Sequence, residues 1–315
     1  MKVLSLSRYA VKGLGPDYFD SINIDKAGEA FPDDRRYALI KTKNLAKFNP
    51  DVSEWIFKQN FLCAFTYGKI LNHFVTKYDD ATNELTVWKR NDNGQKSDLL
   101  LGPVNISTKA GQERLAFFFE EKCGEPLTFV TSNSSDHQFG NTESGFNKRQ
   151  DSRTIHIVNA STVREVETKL GVKLSAEQFR PNIIVDGLQA WNDFDAVGKT
   201  MTVSRPDGTV STLQFVGLTR CVRCDGIGVD PLDPSKPQVD IPKLLAKNYP
   251  EHGPYLGIYV VVTNPGDIQV GDTITFPGEK VSSIPKASVF QNNYIWAAVA
   301  AGVALLTLSV YGKKK

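Results

Sequence analysis

The chain has 315 residues, 41% hydrophobic and 23% charged, with a formal net charge of +2, a composition ordinary for an enzyme with one elaborated core or two smaller ones. Four cysteines over this length do not make a disulfide scaffold, and the start carries no apolar secretory core, so a reducing compartment is expected. Lys313, Lys314 and Lys315 carry three of the positive charges, and no basic run interleaved with aromatics marks the rest, so no nucleic-acid partner is predicted.

Residues 1–6 read as a first strand. Residues 37–40, 72–76 and 84–88 are short apolar or β-branched runs separated by Asp, Asn and Gly turn signals, the pattern of antiparallel hairpins. Residues 109–122 form the first credible helix, with Leu115, Phe118 and Phe119 on one face and Gly124 as its stop. From Leu127 the chain is again β-rich. A polar stretch, 136–150, is expected as a surface loop, followed by a strand at 155–158. A helix is expected over 162–170, with Thr162 and Glu165 at capping-box spacing and Gly171 at the exit. Segments 182–185, 200–204, 212–216, 255–263 and 272–276 complete the strands.

Residues 294–311 contain no charge and are mostly Ala, Val, Leu and Ile. As a helix they would extend about 27 Å, near the roughly 30 Å thickness of a bilayer core. Tyr294 and Trp296 at one end, and Tyr311 with the lysines at the other, are placed as interfacial anchors. The apolar residues run around the whole helix, which favours lipid over a one-sided packing role. A transmembrane tail anchor at 294–311, a tether at 279–293 and a basic tail at 312–315 are predicted.

Cys221-Val222-Arg223-Cys224 places two thiols three apart. A structural zinc site needs about four ligands, and no second pair exists. A redox pair usually opens a helix, whereas this one follows a strand-like stretch. One thiolate among arginines is left as a candidate ligand for an anionic metallo-cofactor.

In order along the chain stand Tyr9-Ala10-Val11-Lys12-Gly13, Asp34-Arg35-Arg36-Tyr37, and Phe179-Arg180-Pro181-Asn182-Ile183-Ile184-Val185. The Cys221–Cys224 run follows, then Asp230-Pro231-Leu232-Asp233-Pro234, Gly257-x-Tyr259 and Gly266-Asp267-Ile268-Gln269-Val270-Gly271-Asp272. Together, over roughly 1–278, these motifs resemble the MOSC family, particularly the mitochondrial amidoxime-reducing components and bacterial MOSC proteins with an N-terminal β-barrel. The resemblance implies a β-rich α+β fold: an N-terminal β-barrel-like domain (1–126) interlocked with a MOSC β-barrel core (127–278). It implies a molybdenum cofactor whose metal is held by Cys224, and places Lys12, Arg35, Ser152, Arg153, Arg180 and Asn182 at cofactor contacts. Soft thiolate sulfur suits that metal, and lysine and arginine suit phosphate or pterin oxygens. Asp225 and Asp230 are candidates for proton supply, with turn capping as the alternative.

The implied reaction is reduction of N-hydroxylated compounds such as amidoximes, with electrons from cytochrome b5 and NADH-cytochrome b5 reductase. No G-x-G-x-x-G follows a strand, so no NAD site is predicted; flavin, haem and zinc are not expected in this chain either. A molybdenum-cofactor sulfur-transfer enzyme and a non-enzymatic cofactor-binding membrane adaptor remain alternatives. The expected location is the mitochondrial outer membrane facing the cytosol, with the endoplasmic reticulum as the alternative. Three positions depart from the family pattern: Gly13 replaces a serine, 41–55 lacks a threonine-arginine element, and 190–195 is shortened.

Overall fold

In chain order the first strands are β1 (Lys2–Arg8), β2 (Asp17–Phe19), β3 (Ser21–Ile24), β4 (Tyr37–Lys41), β5 (Phe74–Asp79), β6 (Glu84–Arg90), β7 (Lys96–Asn105) and β8 (Leu127–Thr131). They are followed by β9 (Ile155–Asn159), β10 (Ile183–Asp186), β11 (Thr200–Ser204), β12 (Val210–Val222), β13 (Tyr255–Asn264), β14 (Gly266–Gln269) and β15 (Thr273–Thr275). The helices are α1 (Ala64–Leu71), α2 (Lys109–Cys123), α3 (Ala160–Leu170) and α4 (Ile241–Asn248). The computed structural model describes residues 1–51, 56–91, 94–132, 139, 153–231, 233 and 237–276. The expected tether, transmembrane helix and basic tail, most of the 136–150 loop and Ser152 lie outside the described residues.

Seven strands close into a barrel in the order β10-β9-β13-β12-β11-β15-β1, with β1 pairing back to β10. Closure leaves these strands no free edge. The interior is a contiguous apolar core that includes Val3, Leu6, Ile157, Val185, Met201, Val203, Phe215, Ile258, Val260 and Ile274, all fully buried. Each such side chain contributes roughly 1.5–3 kcal/mol on leaving water. The pair β9–β10 is parallel, so it needs a crossover, which α3 supplies. The first strand of the chain is thus a stave of the barrel whose other members lie beyond residue 154, and the two halves of the sequence share one core.

The N-terminal segment contributes two further sheets, β4–β8 and β5–β6–β7. A barrel-like unit is expected here. Among the described residues the pairings are instead two open sheets, joined by the side chains of α2 rather than by a backbone ladder. Leu115 and Phe119 of α2 are fully buried with Leu39 of β4, Leu127 and Phe129 of β8, and Leu85, Val87 and Val104 of the three-stranded sheet. The start of α2 is capped by Thr108, whose hydroxyl accepts from Gly111 N at 3.2 Å, and Gly124 ends it at φ 67°.

Two local expectations change. The cap of α3 is Asn159, whose side chain accepts from Ser161 N. Thr162 sits inside that helix, where its hydroxyl donates to Asp193 and accepts from Trp191 N. Helix α1 was not anticipated: Ala-Phe-Thr-Tyr-Gly-Lys-Ile-Leu is poor in strong helix formers, and the helix kinks at Tyr67, with φ −136°. It holds through contact with the turn at Gly226, described below. Among the described residues, no helix is long and apolar enough to cross a membrane.

Candidate functional site

Strand β1 runs into the segment 9–14, which is stitched to the chain before β4 by three backbone bonds: Arg35 N to Tyr9 O, Tyr37 N to Ala10 O and Lys12 N to Tyr37 O. This brings Lys12 and Arg35 to one wall. Arg180 arrives on the other side, at the exit of a short turn, Ala176–Phe179. Arg35 and Arg180 both adopt left-handed backbone conformations, φ 52° and 56°, which cost a non-glycine residue of order 1–3 kcal/mol and mark over-determined positions. What determines them is visible. Arg35 donates through Nη1 to Asp34 Oδ2 (2.5 Å) and Asn182 Oδ1 (3.2 Å), and through Nη2 to Arg180 O (2.9 Å). Both guanidiniums lie over the ring of Tyr9, at 4.9 and 4.2 Å.

Strand β12 delivers the thiols. Its last residue, Val222, pairs with Tyr255, so Arg223 and Cys224 emerge at the barrel rim. Cys224 is half-buried and caps the three-residue turn Asp225–Ile227. That turn abuts α1: a Cβ on Gly226 would lie 3.0 Å from Phe65 N, so any larger residue would push the two backbones apart. Cys63, the N-cap of α1, therefore comes to the same cavity as Cys224.

The cavity so enclosed has a volume of about 230 Å³. Lys12, Arg35, Lys58, Arg180 and Arg223 line it together with Cys63, Cys221, Cys224, His156 and Tyr259, and among the described residues no Asp or Glu lines it. Lys12 is 8% exposed. Its ammonium has no hydrogen bond or ion pair among the described residues; only the Phe61 ring lies near, 5.4 Å away. Burial, with a smaller push from Arg35 and Arg180, lowers its pKa to about 8, and Cys63 opposes this. Burial also brings Arg180 down to about 10. Burial, then Arg223 and Arg35, depress His156 well below the ordinary imidazole range, so the ring is neutral. Its Nε2 faces Arg223 Nη1 at 3.4 Å and its Nδ1 faces Arg180 O at 3.4 Å. Arginine is always a donor and a carbonyl always an acceptor, which assigns the proton to Nδ1. Arg223 Nε is buried without a partner. Only Arg35 among these cations has a carboxylate partner among the described residues, Asp34 behind the wall; a site that desolvates the others is built for an anion.

Of the residues singled out from sequence, Lys12, Arg35, Arg180 and Cys224 line this one cavity. Asn182 does not. It is fully buried, and its amide is consumed: Oδ1 accepts from Arg35 and from His156 N, and Nδ2 donates to Ser7 O. It positions Arg35 from behind. Arg153 also stands behind the wall, donating through Nη2 to Asp34 O at 2.6 Å. Asp225 and Asp230 are absent from the lining; Asp225 is exposed on its turn. His156, Arg223, Cys63 and Lys58 are polar lining residues to which sequence reasoning gave no role, and Tyr259 entered it only as part of a motif. Arg223, between two cysteines, had a signal; a histidine inside the apolar run 155–158 reads as core.

Residues 135–275 match the family model of the MOSC domain. Mitochondrial amidoxime reducing component 2 of Rattus norvegicus is 25% identical over 133 residues, 39% of this chain and 37% of that protein, so the match spans little more than a third of the relative's length. Among solved structures, the YUAD protein from Bacillus subtilis aligns over 87% of this chain and 93% of its own at 15% identity and TM-score 0.35. YiiM from Geobacillus stearothermophilus aligns over 43% of this chain and 60% of its own at 18% identity and TM-score 0.31. The matched segment supplies His156, Arg180, Cys221, Arg223, Cys224 and Tyr259 to the cavity, whereas Lys12, Arg35, Lys58 and Cys63 precede it in the chain.

Proposed function

We propose that this chain binds a molybdenum cofactor in the cation-lined cavity and reduces N-hydroxylated compounds such as amidoximes. The MOSC domain and the amidoxime-reducing relative support a molybdenum-cofactor-binding protein. The observation that carries the reading is the buried Lys12 ammonium, without an ion pair among the described residues, in a cavity whose described lining holds five cations, no carboxylate, and the half-buried thiol of Cys224.

The donor set fits the group. Cys224 would hold the metal, while Lys12 and the guanidiniums of Arg180 and Arg223 would take the anionic oxygens. When bound, the cofactor supplies a two-electron centre that removes oxygen from nitrogen. The overall conversion takes an amidoxime, two electrons and two protons to an amidine and water. The chain's own residues do the rest. Arg35, clamped by Asp34 and Asn182, keeps its place without moving when a ligand enters. Neutral His156 holds Arg223 and Arg180 O apart without adding charge. Phe57, Phe65 and Phe139 line the same space and keep it partly dry. Electrons would come from cytochrome b5 and its NADH-dependent reductase, and residues 294–311 would hold the chain at the same membrane surface, the mitochondrial outer membrane in our reading, raising the encounter rate.

A second reading, sulfur transfer on the same cofactor, draws on Cys63, Cys221 and Cys224 lining one cavity. Metal analysis of the full chain, paired with benzamidoxime reduction in the presence of cytochrome b5, its reductase and NADH, separates the two. About one molybdenum per chain, with metal and turnover both lost in Cys224→Ser, is expected. Molybdenum without turnover favours sulfur transfer or carriage. A folded, cofactor-exposed chain without molybdenum would overturn both.

A further inference from the structure

A second cavity of about 200 Å³ lies beside the first, the two meeting at Gly13, Ala64, Arg180 and Gly226. Tyr9, Tyr18, Phe74, Arg90, Arg180 and Glu177 are among its walls. We propose that this second cavity binds a small planar carboxylate, a single aromatic ring carrying one anionic group.

The argument begins with Arg90. Its guanidinium is fixed by three backbone carbonyls: Nε donates to Asn72 O (2.8 Å), Nη1 to Gly94 O (2.6 Å) and Nη2 to Phe74 O (3.2 Å). Three of its five N–H donors are thereby used, and the remaining two have no acceptor among the described residues. Arg180 donates through Nη2 to Leu14 O at 2.8 Å. Neither arginine forms an ion pair among the described residues. Burial lowers the pKa of both, opposed by Tyr18 at Arg90 and by Tyr9 at Arg180. Among the described lining residues Glu177 is the one acid, with its Oε2 engaged by Ser175 Oγ at 2.8 Å. Those residues thus set two guanidiniums against one carboxylate.

The shape narrows the ligand. The space, about 200 Å³, has room for a single aromatic ring. Tyr18 and Phe74 offer ring surface for an aromatic body. A fixed guanidinium fork matches the two oxygens of a carboxylate better than it matches a point anion. Pro16, Val229 and Pro231 add apolar surface without further donors. This site shares Arg180 with the first cavity, but neither Cys224 nor Lys12 lines it, so Arg90 is the cation that belongs to it alone.

The test is calorimetric titration of the full chain with benzoate, against benzamidinium as the cationic isostere. One saturable benzoate site is expected, at least tenfold weaker in Arg90→Gln and unchanged in Lys12→Ala, with no site for benzamidinium. Equal binding of the two probes, no saturable binding at millimolar benzoate, or loss in Lys12→Ala with retention in Arg90→Gln would each overturn the proposal. Should Arg90→Gln fail to fold, hydrogen exchange of the unsubstituted chain decides. Benzoate-dependent slowing at 15–18, 72–76 and 88–90 supports the site, whereas protection confined to 12–13 and 221–224 rejects it.

Discussion

Arg223 donates through Nη1 to the Sγ of Cys221 at 2.7 Å, tying the residue beside the candidate metal ligand to the thiol two positions before it. Cys221 is 1% exposed, and its sulfur also interacts with Tyr259. Arg223 is held a second time by Phe179 O at 2.8 Å. Of the two thiols in the run, Cys221 is thus a fixture of the wall, and Cys224 is the one with solvent access.

Removing that fixture should cost stability before it costs metal. Cys221→Ala deletes one acceptor of a buried charged donor, a loss of about 1.5–3 kcal/mol. Cys221→Ser, which keeps an acceptor, should lose about 1 kcal/mol. Thermal denaturation of the two variants gives the order, and both are expected to retain molybdenum where Cys224→Ser does not.

Gly13 stands where the family resemblance places a serine, and the fold shows why restoring it should fail. Its φ is 88°, and a Cβ would lie 2.7 Å from Leu62 O and 2.8 Å from Cys63 Cα. Backbone fills the space a side chain would need. Gly13→Ser is expected to destabilise by about 2–4 kcal/mol, from left-handed strain plus displacement of the α1 entry. Chemical denaturation measures the loss, and inorganic phosphate should bind the variant no more tightly than the parent.

Lys12 gives a pH dependence with a definite sign. Its folded pKa, about 8, lies below the ordinary lysine value of 10.5. Between those two values the unfolded chain binds more protons than the folded one, so stability rises with pH across that window, by about 3 kcal/mol at most. Below pH 8 the buried ammonium is charged and costs its desolvation in full. An anion that pairs with it reverses the trend: inorganic phosphate should raise Tm at pH 7 and do so progressively less as pH climbs past 8. Lys12→Met should remove both effects in a Tm-against-pH series with and without phosphate.

Asp34 is fully buried and accepts from Tyr9 N at 2.9 Å and from Arg35 Nη1 at 2.5 Å. Asp34→Ala leaves the Arg35 guanidinium buried without its carboxylate, and a loss of about 3–5 kcal/mol is expected. The double variant Asp34→Ala/Arg35→Met should recover part of that loss in a denaturation cycle, because the stranded charge is gone.

The alternation of apolar residues and the Gly, Asn and Asp punctuation were enough to place most barrel strands, because a strand's period of two is a property of consecutive residues. The ordered motifs were enough to name Lys12, Arg35, Arg180 and Cys224, which share one cavity. They did not say where Asn182, Arg153, Asp225 and Asp230 would point. Asn182 turns inward because His156 N and Ser7 O, from neighbouring strands, claim its amide. Spacing along one segment carries no record of such partners. Nor could it bring Cys63 to Cys224, since that meeting depends on Gly226 admitting the backbone of Phe65 from a helix about 160 residues earlier in the chain. Local periodicity determined which residues can form an element and which face they share. Close packing between distant elements, and the capture of each buried polar group by a partner, decided which of those faces became the site.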